Sequence, residues 1–497
     1  MITTAKQSIS LNLFSLFFPI LSLSFEAMTN PFKPLLPFSA FCLLAAGAIM
    51  LFACRKNGFI TSSDARITFS ADTLKFDTVF TTVGSVTQSF KIINNNDQKL
   101  RLSSIKLMGG NASAYRINID GAAVSESTNL ELAGNDSLYV FVQVTVDPSA
   151  ANLPFIIRDS IQVMFNGNEK FVQLESWGQN AHFFRNKAIT GNETWTNDLP
   201  YVIQGFLYVD QGASLSIDKG CRIYVNANAP VIIDGSLKVN GAKDTADRVY
   251  FSGDRRDEPY RNFPASWPGI YFTPTSIDNV LQYAVIKNAY QAIIIEGPST
   301  NASPKLKLNE CVIDNAYDAG VLATNSSLLA ENCLISNCGK NLSITGGGTY
   351  QFTHCTAVTY SSNYIDHKNP VLFLSNSTGS ATGALQALFR NCIFWGEGGL
   401  VDNEVVVEKV GATPFSVNFD YNLWKVSADP ANVTINQVIN GQAPLFDSIN
   451  VSNRYYNFRL QTGSPAIGKG VSSTVTIDLD GKPRPANQPD LGCFEHD

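Results

Sequence analysis

The sequence predicts an all-β protein in which an N-terminal β-sandwich precedes a right-handed parallel β-helix solenoid with a C-terminal cap. The decapeptide LQYAVIKNAY at 281–290 returns as LNECVIDNAY at 308–317, and more loosely as AENCLISNC at 330–338. Aligning these copies produces one column of small residues, which two later cysteines extend: Ala284, Cys311, Cys333, Cys355 and Cys392. The steps along the column are 27, 22, 22 and 37 residues. A period near 22 with short Val-Ile and Leu-Ile runs, and no stripe of period 3.6, indicates stacked coils of strands and turns. Parallel crossovers are right-handed for steric reasons, which predicts the hand.

The N-terminal region, residues 1–53, is predicted to be a signal region. Residues 28–53 have a thin positive segment at Lys33, followed by an apolar run that ends in a bacterial lipobox at 51–54. Cys54 is the expected lipidation site, and a single membrane-spanning anchor is the alternative. Met28 suggests that translation starts there and that residues 1–27 come from an upstream start codon.

The composition excludes some partners. The formal charge is −6, the pI is near 5.4 and only 16% of residues are charged. No run of Lys and Arg is present, so nucleic acid is not an expected partner, and no motif indicates a cofactor.

Seven cysteines remain once Cys42 leaves with the signal and Cys54 is lipidated: Cys221, Cys311, Cys333, Cys338, Cys355, Cys392 and Cys493. Side chains on neighbouring coils point the same way, which resists the dihedral angle that a disulfide needs. The column is therefore predicted to consist of small buried hydrophobic residues. A metal site is the alternative, but no C-x₂-C pair or histidine partner supports it, so no metal is expected.

Residues 65–180 alternate apolar and polar positions between Asn- and Gly-rich turns, which predicts a β-sandwich. The segment Phe76–Gly84 before a Phe-Lys-Ile-Ile strand, and Leu132–Ser137 before a long strand, resemble the Ig-like modules of the abnormal-spindle/Hydin type.

Residues 187–455 contain strands of three to four residues every six to nine residues, as β-helix coils do. The 37-residue step predicts an excursion somewhere in 360–386. The last segment, 456–497, closely resembles the ending of secreted β-helix proteins of the choice-of-anchor Q type. It carries that family's Gly463–Gly470, Asp478–Arg484 and Asp490–Glu495 motifs, with Gly468, Lys469 and Cys493 as departures. We expect it to fold over the last coil as a cap.

Together these pieces resemble the tripartite lipoproteins of Bacteroidota-type bacteria, with a fold of the pectate-lyase-like superfamily. The resemblance implies an outer-membrane lipoprotein on the periplasmic face or at the cell surface, held through a lipid anchor. That superfamily includes lyases, hydrolases, epimerases and non-catalytic adhesins, so the fold does not determine an activity.

Catalytic residues are not recognisable in the sequence. The Asp-Asp and His-Gly pairs of pectin-type hydrolases are absent, and Asp314 and Asp318 have no aligned acid on the next coil. Weak candidates are Asp366, His367 and Lys368 in the excursion, where a base could meet a sugar. An exposed polar loop is the preferred interpretation of these three residues.

The best candidate binding patch lies at 254–268. Arg255, Arg256 and Arg261 could grip carboxylate or sulfate groups, while Tyr260 and Trp267 could stack on sugar rings. Alternatively, the arginines pair with Asp254, Asp257 and Glu258, and Trp267 begins the next coil. The patch, the scaffold and the missing acidic clusters favour a module that binds polysaccharide or another cell-surface polymer, with a polysaccharide lyase or glycoside hydrolase as the alternative.

Overall fold

The computed structural model describes residues 58–80, 87–146 and 155–496. The signal region and Cys54 lie outside these residues. Strands dominate the described chain, and its helices are two single 3₁₀ turns, at Gly110–Ala112 and Tyr260–Asn262. None of the described helices is long and apolar enough to cross a membrane.

Two five-stranded sheets face each other in the N-terminal part. The strands are β1 (Ile67–Phe69), β2 (Thr73–Phe80), β3 (Gln88–Asn94), β4 (Leu100–Leu107), β5 (Tyr115–Ile119), β6 (Ala122–Ala123), β7 (Glu126–Leu132), β8 (Ser137–Val144), β9 (Phe155–Phe165) and β10 (Asn168–Gln179). The sheet orders are β1-β3-β8-β5-β6 and β2-β10-β9-β4-β7, and both sheets contribute side chains to one core. The predicted β-sandwich is therefore confirmed.

The next 26 strands are all paired in parallel, in one continuous network. They are β11 (His182–Ile189), β12 (Asn192–Trp195), β13 (Tyr201–Val209), β14 (Ser214–Asp218), β15 (Arg222–Val225), β16 (Val231–Ile233), β17 (Ser236–Asn240), β18 (Val249–Gly253), β19 (Ile270–Phe272), β20 (Asn279–Gln282), β21 (Ala284–Lys287), β22 (Gln291–Glu296), β23 (Leu306–Asn309), β24 (Val312–Asp314), β25 (Ala319–Glu331), β26 (Leu334–Ser336), β27 (Leu342–Thr353), β28 (Thr356–Tyr360), β29 (Leu372–Ser375), β30 (Leu385–Arg390), β31 (Ile393–Glu397), β32 (Val405–Glu408), β33 (Phe415–Asp420), β34 (Leu423–Trp424), β35 (Thr434–Asn436) and β36 (Ile439–Asn440). This is the predicted parallel β-helix; its hand stays a prediction.

Each coil contributes to three sheets that run along the solenoid. Sheet I contains the start of β11 and β13, then β15, β18, β21, β24, β26, β28, β31, β34 and β36. Sheet II contains the end of β11 and β13, then β16, β19, β22, the start of β25 and β27, β29 and β32. Sheet III contains β12, β14, β17, β20, β23, the end of β25 and β27, β30, β33 and β35. Alternate side chains of all three sheets fill a single interior.

The cysteine column stacks as predicted. Cys311, Cys333, Cys355 and Cys392 each precede a strand of sheet I, and those strands pair in register through Val312, Leu334, Thr356 and Ile393. All four thiols are buried and free. Burial raises the pKa of Cys333 well above its ordinary value, so the thiol stays protonated. The cysteine side chains of this column therefore pack in the interior as small hydrophobic residues.

The C-terminal segment covers the side of the solenoid, which differs from the predicted position over the last coil. After the hairpin of β37 (Phe446–Asn450) and β38 (Tyr455–Leu460), the chain packs on the outward face of sheet I. It bonds the turns that lead from sheet III into sheet I: Asn332 Nδ2 donates to the Ile477 carbonyl at 2.7 Å, and Asn391 Nδ2 donates to the Val471 carbonyl at 2.7 Å. The reason is that this face of sheet I is apolar, with Val358, Ile393, Trp395 and Leu423 pointing outward into the segment.

Candidate functional site

An asparagine ladder forms the corner where sheet I turns into sheet II. Asn288, Asn315 and Asn337 follow β21, β24 and β26 and have left-handed backbones, with φ of 63°, 59° and 52°. Asparagine tolerates this conformation better than most residues, which explains its recurrence at one phase of the repeat. Asn315 Nδ2 donates to Asn288 Oδ1 at 2.7 Å, and Asn337 Oδ1 accepts the Tyr360 N–H at 3.1 Å. The corner thus presents a stack of amides.

Three loops converge on this ladder. Asn288 Nδ2 donates to the Arg261 carbonyl at 2.8 Å, and Asn315 Nδ2 donates to the Asn262 carbonyl at 3.1 Å, which holds the 254–268 loop in place. The excursion forms a second loop, 361–371, whose Tyr364 ring meets the Phe263 ring with centroids 4.8 Å apart. The third is the turn between β37 and β38. They enclose a cavity of about 200 Å³, which we call the corner cleft. Its lining residues are Asn262, Lys287, Asn288, Asp314, Asn315, Asn337, Ser362, Asn453, Arg454 and Tyr456.

The carboxylate that lines the corner cleft, Asp314, already has partners within the protein. Asp314 Oδ2 lies 3.3 Å from Lys287 Nζ, and its Oδ1 accepts the Ser336 hydroxyl at 2.8 Å. Burial and the charge of Asp314 raise the pKa of Tyr456, while Arg454 lowers it, and the net direction is upward. Tyr456 is therefore a neutral phenol at the pH of ordinary media.

Arg454 differs from the other charged residues of the corner cleft. Its Nη1 donates to the Asn262 carbonyl at 3.1 Å, and its guanidinium carbon lies 5.1 Å from the Tyr364 ring centroid. Within residues 58–80, 87–146 and 155–496, no carboxylate forms an ion pair with it. A guanidinium that is held in position without an ion-pair partner is suited to bind an anionic group.

The arginines of the predicted patch bond within their own neighbourhood. Arg255 Nε lies 3.0 Å from Asp257 Oδ1, and its guanidinium carbon is 3.4 Å from the Tyr260 ring centroid. Arg256 Nη1 donates to the Tyr224 hydroxyl at 2.6 Å. Arg261 pairs with Glu258. The structure thus favours the alternative in which these side chains hold the loop together.

Trp267 is a core residue, so its candidacy as a sugar-stacking surface is wrong. Its side chain is 1% exposed, and Nε1 donates to the Lys287 carbonyl at 2.8 Å. The physical reason is that Trp267 already belongs to the next coil, where it pairs with Ala289.

The 361–371 loop is only partly the exposed polar loop that was expected. Asp366 and Lys368 form an exposed ion pair of 2.7 Å. His367 is buried, however, with Nε2 2.8 Å from Oε1 of the equally buried Glu404. His367 fastens the loop to β32 and does not reach a polymer at the surface.

Sequence reasoning missed Arg454, Tyr456, Tyr290 and Tyr317. The tyrosines Tyr290 and Tyr317 close both copies of the repeated decapeptide and lie beside the corner cleft, two residues beyond the ladder. Their rings are 47% and 50% exposed. A large aromatic residue recurring directly after a buried alanine was the available signal. No comparable signal existed for Arg454, which lies almost 200 residues from the loop that it bonds.

Comparisons with known proteins add little. The sequence matches no protein family, and it matches no curated protein. The structure is similar to that of XylC in complex with xylose, with 8% identity over 84% of this chain and 87% of that chain, at a TM-score of 0.30. It is also similar to a family 123 glycoside hydrolase from Clostridium perfringens, with 9% identity over 24% of this chain, at a TM-score of 0.18. The chain spans only 30% of that hydrolase. The ASH/PapD-like domain of human CEP192 is matched with 7% identity over 23% of this chain and 84% of that domain, at a TM-score of 0.16.

Proposed function

We propose that this protein binds polysaccharide, and that the corner cleft of its β-helix holds a glycan that carries carboxylate or sulfate groups. The observation that supports this most is Arg454, which the Asn262 carbonyl and the Tyr364 ring hold in place without an acid partner. Guanidinium groups bind carboxylate and sulfate through two parallel hydrogen bonds, which gives both affinity and orientation.

The surroundings of Arg454 suit a sugar acid better than a small free anion. Asn288, Asn315 and Asn337 line the cavity with polar amide groups whose positions are fixed by hydrogen bonds within the protein, and their second lone pairs stay open to hydroxyls. The exposed tyrosines Tyr290 and Tyr317 follow two of these asparagines by two residues. Flat aromatic rings offer the apolar face that a sugar ring stacks on.

Binding is favoured over cleavage by the protonation states in the cleft. Elimination from a uronate needs a base near the proton that leaves. Lys287 Nζ is already engaged by Asp314 at 3.3 Å, and the raised pKa of Tyr456 disfavours a phenolate. Unsaturated products released from a uronate polymer would instead establish the lyase alternative.

The test compares acidic and neutral polymers with matched backbones. Dextran sulfate and polygalacturonate should bind wild type, neutral dextran should bind more weakly, and affinity for the acidic polymers should fall as salt rises. Arg454→Ala should weaken binding of the acidic polymers by about tenfold or more, since a charge-assisted contact contributes about 1.5–3 kcal/mol. Arg101→Ala, an exposed arginine of the sandwich, is the matched control and should bind like wild type.

Two outcomes of this titration would overturn the proposal. The first is that wild type binds no acidic polymer. The second is that Arg454→Ala binds the acidic polymers as tightly as wild type does. A loss of binding in Arg255→Ala alone would instead place the site in the 254–268 loop.

We also propose that the protein is anchored in an outer membrane through a lipid on Cys54. The support is the lipobox at 51–54, since Cys54 lies outside the described residues. Cys54→Ala should lose lipid label and leave the membrane fraction. Retention of this variant in the membrane would contradict the anchor, and protease shaving of intact cells would decide which side it faces.

A further inference from the structure

At one equivalent position of successive coils, just after the asparagine ladder, ring-bearing side chains stack into a short column. Pro268, Tyr290, Tyr317 and Gly339 occupy equivalent places on four successive coils. The register follows from three contacts: Trp267 pairs with Ala289, the Tyr317 N–H donates to the Ala289 carbonyl at 2.9 Å, and the Gly339 N–H donates to the Ala316 carbonyl at 3.0 Å. We call these four residues the ring column.

The ring column ends at a half-exposed tyrosine. The Tyr290 and Tyr317 rings are stacked, with centroids 5.9 Å apart and planes 25° apart. Pro268 precedes them, so the coil before Tyr290 presents a side chain. The coil after Tyr317 presents Gly339, which has none, and Tyr317 is half exposed although it packs against Tyr290.

The backbone requires glycine at position 339, so this coil has no side chain at the end of the ring column. A Cβ on Gly339 would collide with the carbonyl oxygens of Tyr317 and Asp318, so no larger residue fits there without moving the coil. The column therefore cannot be completed by a side chain of this coil.

Polar groups surround the gap. Asn369 Nδ2 donates to the Gly339 carbonyl at 3.0 Å, which brings the 361–371 loop to its edge. Lys340 Nζ and Gln291 Nε2 both bond the Asp318 carboxylate, at 2.9 and 2.6 Å. A half-exposed aromatic ring within a rim of amide, ammonium and carboxylate groups matches the mixed character of a sugar, which has apolar C–H faces and hydroxyls at its edge.

We infer that the face of Tyr317 over Gly339 is a stacking subsite for a pyranose ring, so that a sugar continues the ring column where the coil has no side chain. This inference rests on the proposed function, and it adds the ring that binds beside the acidic group. Asn315 lines the corner cleft and Tyr317 follows two residues later, at most about 7 Å along the chain. The inferred subsite thus lies within one sugar's length of a residue that lines the cleft, Asn315.

The test measures binding of polygalacturonate and dextran sulfate by calorimetry. Tyr317→Ala should weaken affinity about tenfold, as removal of a central aromatic contact does. Tyr317→Phe should stay within about twofold of wild type, because stacking needs the ring and not the hydroxyl. Tyr139→Ala removes a tyrosine of similar exposure from the sandwich and should leave affinity unchanged. Melting temperatures check that each variant is folded.

The salt dependence separates this inference from the proposed function. Tyr317→Ala should keep the wild-type slope of affinity against salt, whereas Arg454→Ala should flatten it, since only the arginine contributes charge. If wild type binds neither polymer, the proposed function and this inference fall together. If wild type binds, Arg454→Ala weakens binding and Tyr317→Ala does not, the stacking subsite alone is refuted.

Discussion

The buried arginine of the C-terminal segment makes a strong prediction about stability. Arg484 is 8% exposed and donates four hydrogen bonds, to the Ile477 and Gly492 carbonyls, to Asn332 Oδ1 and to Glu495 Oε1. Replacing it by Met keeps much of the volume but leaves a buried carboxylate without its cation. Breaking one partner of such a pair costs about 3–5 kcal/mol, so Arg484→Met should destabilise the contact between this segment and sheet I by that amount.

The double variant Arg484→Met/Glu495→Met should recover the part of this loss that comes from the unpaired carboxylate, although the other acceptors of Arg484 stay without their donor. Replacing both members of a buried ion pair with apolar residues is often neutral, because the desolvation of both charges is relieved. Urea unfolding gives the free energies, and hydrogen exchange of peptides from 461–496 locates the change. Equal destabilisation in the single and double variants would refute the reasoning, as would a single variant with wild-type exchange in this segment.

The ionisation of Glu495 should make the destabilisation caused by Arg484→Met depend on pH. Burial raises the pKa of Glu495 to about 7, against an ordinary value of 4.5. A carboxyl with a raised folded-state pKa contributes stability that is complete below pH 4.5 and is lost as pH rises through 7. The difference between the pKa values of 4.5 and about 7 corresponds to about 3 kcal/mol of stability. Arg484→Met should therefore be more harmful at pH 8 than at pH 5.5, where the carboxyl is protonated.

Two further predictions concern His354 and Trp267. Burial first, and the nearby charge of Arg484 second, lower the pKa of His354 to about 2, so the folded protein keeps this ring neutral while the unfolded chain protonates it near 6.5. The contribution of His354 to the free energy of unfolding should therefore fall by about 2–3 kcal/mol between pH 6.5 and 4.5. The urea midpoint of His354→Asn should fall less than that of wild type over this range. An equal fall in the two proteins would contradict the low pKa of His354. Trp267→Ala should destabilise the protein by about 3–5 kcal/mol as a core truncation, whereas Arg255→Ala should change its stability by less than about 0.5 kcal/mol. Thermal melts would refute the core placement of Trp267 if the two variants were equally stable.

The solenoid was predictable because its signal is local and repeated. Each coil buries the same phase of a repeat of about 22 residues, so Cys311, Cys333 and Cys355 identify their own column without knowledge of any distant contact. The sandwich followed from alternating strands for the same reason.

The corner cleft was not predictable as a unit. It assembles from the repeat itself, from the 254–268 loop, from the excursion and from the β37–β38 turn, and nothing in a single chain states which loops meet. Arg255 and Arg454 have the same charge, but Arg255 pairs with an acid two residues away, whereas Arg454 forms no ion pair within the described residues. Likewise, the C-terminal segment lies along the side of the solenoid because several coils together contribute an apolar stripe there. No local sequence motif indicates that stripe.

The lateral position of the C-terminal segment also imposes an order of events on folding. Ribosomes synthesise a chain from its N-terminus, so the strands of sheet I are made before residues 471–495, which cover them. During that interval Val358, Trp395 and Leu423 face water as a continuous apolar strip. The nascent solenoid is then at its most vulnerable to self-association, and an early stop codon would leave it in that state permanently. The C-terminal segment thus completes the fold by removing from water an apolar strip that the coils alone leave exposed.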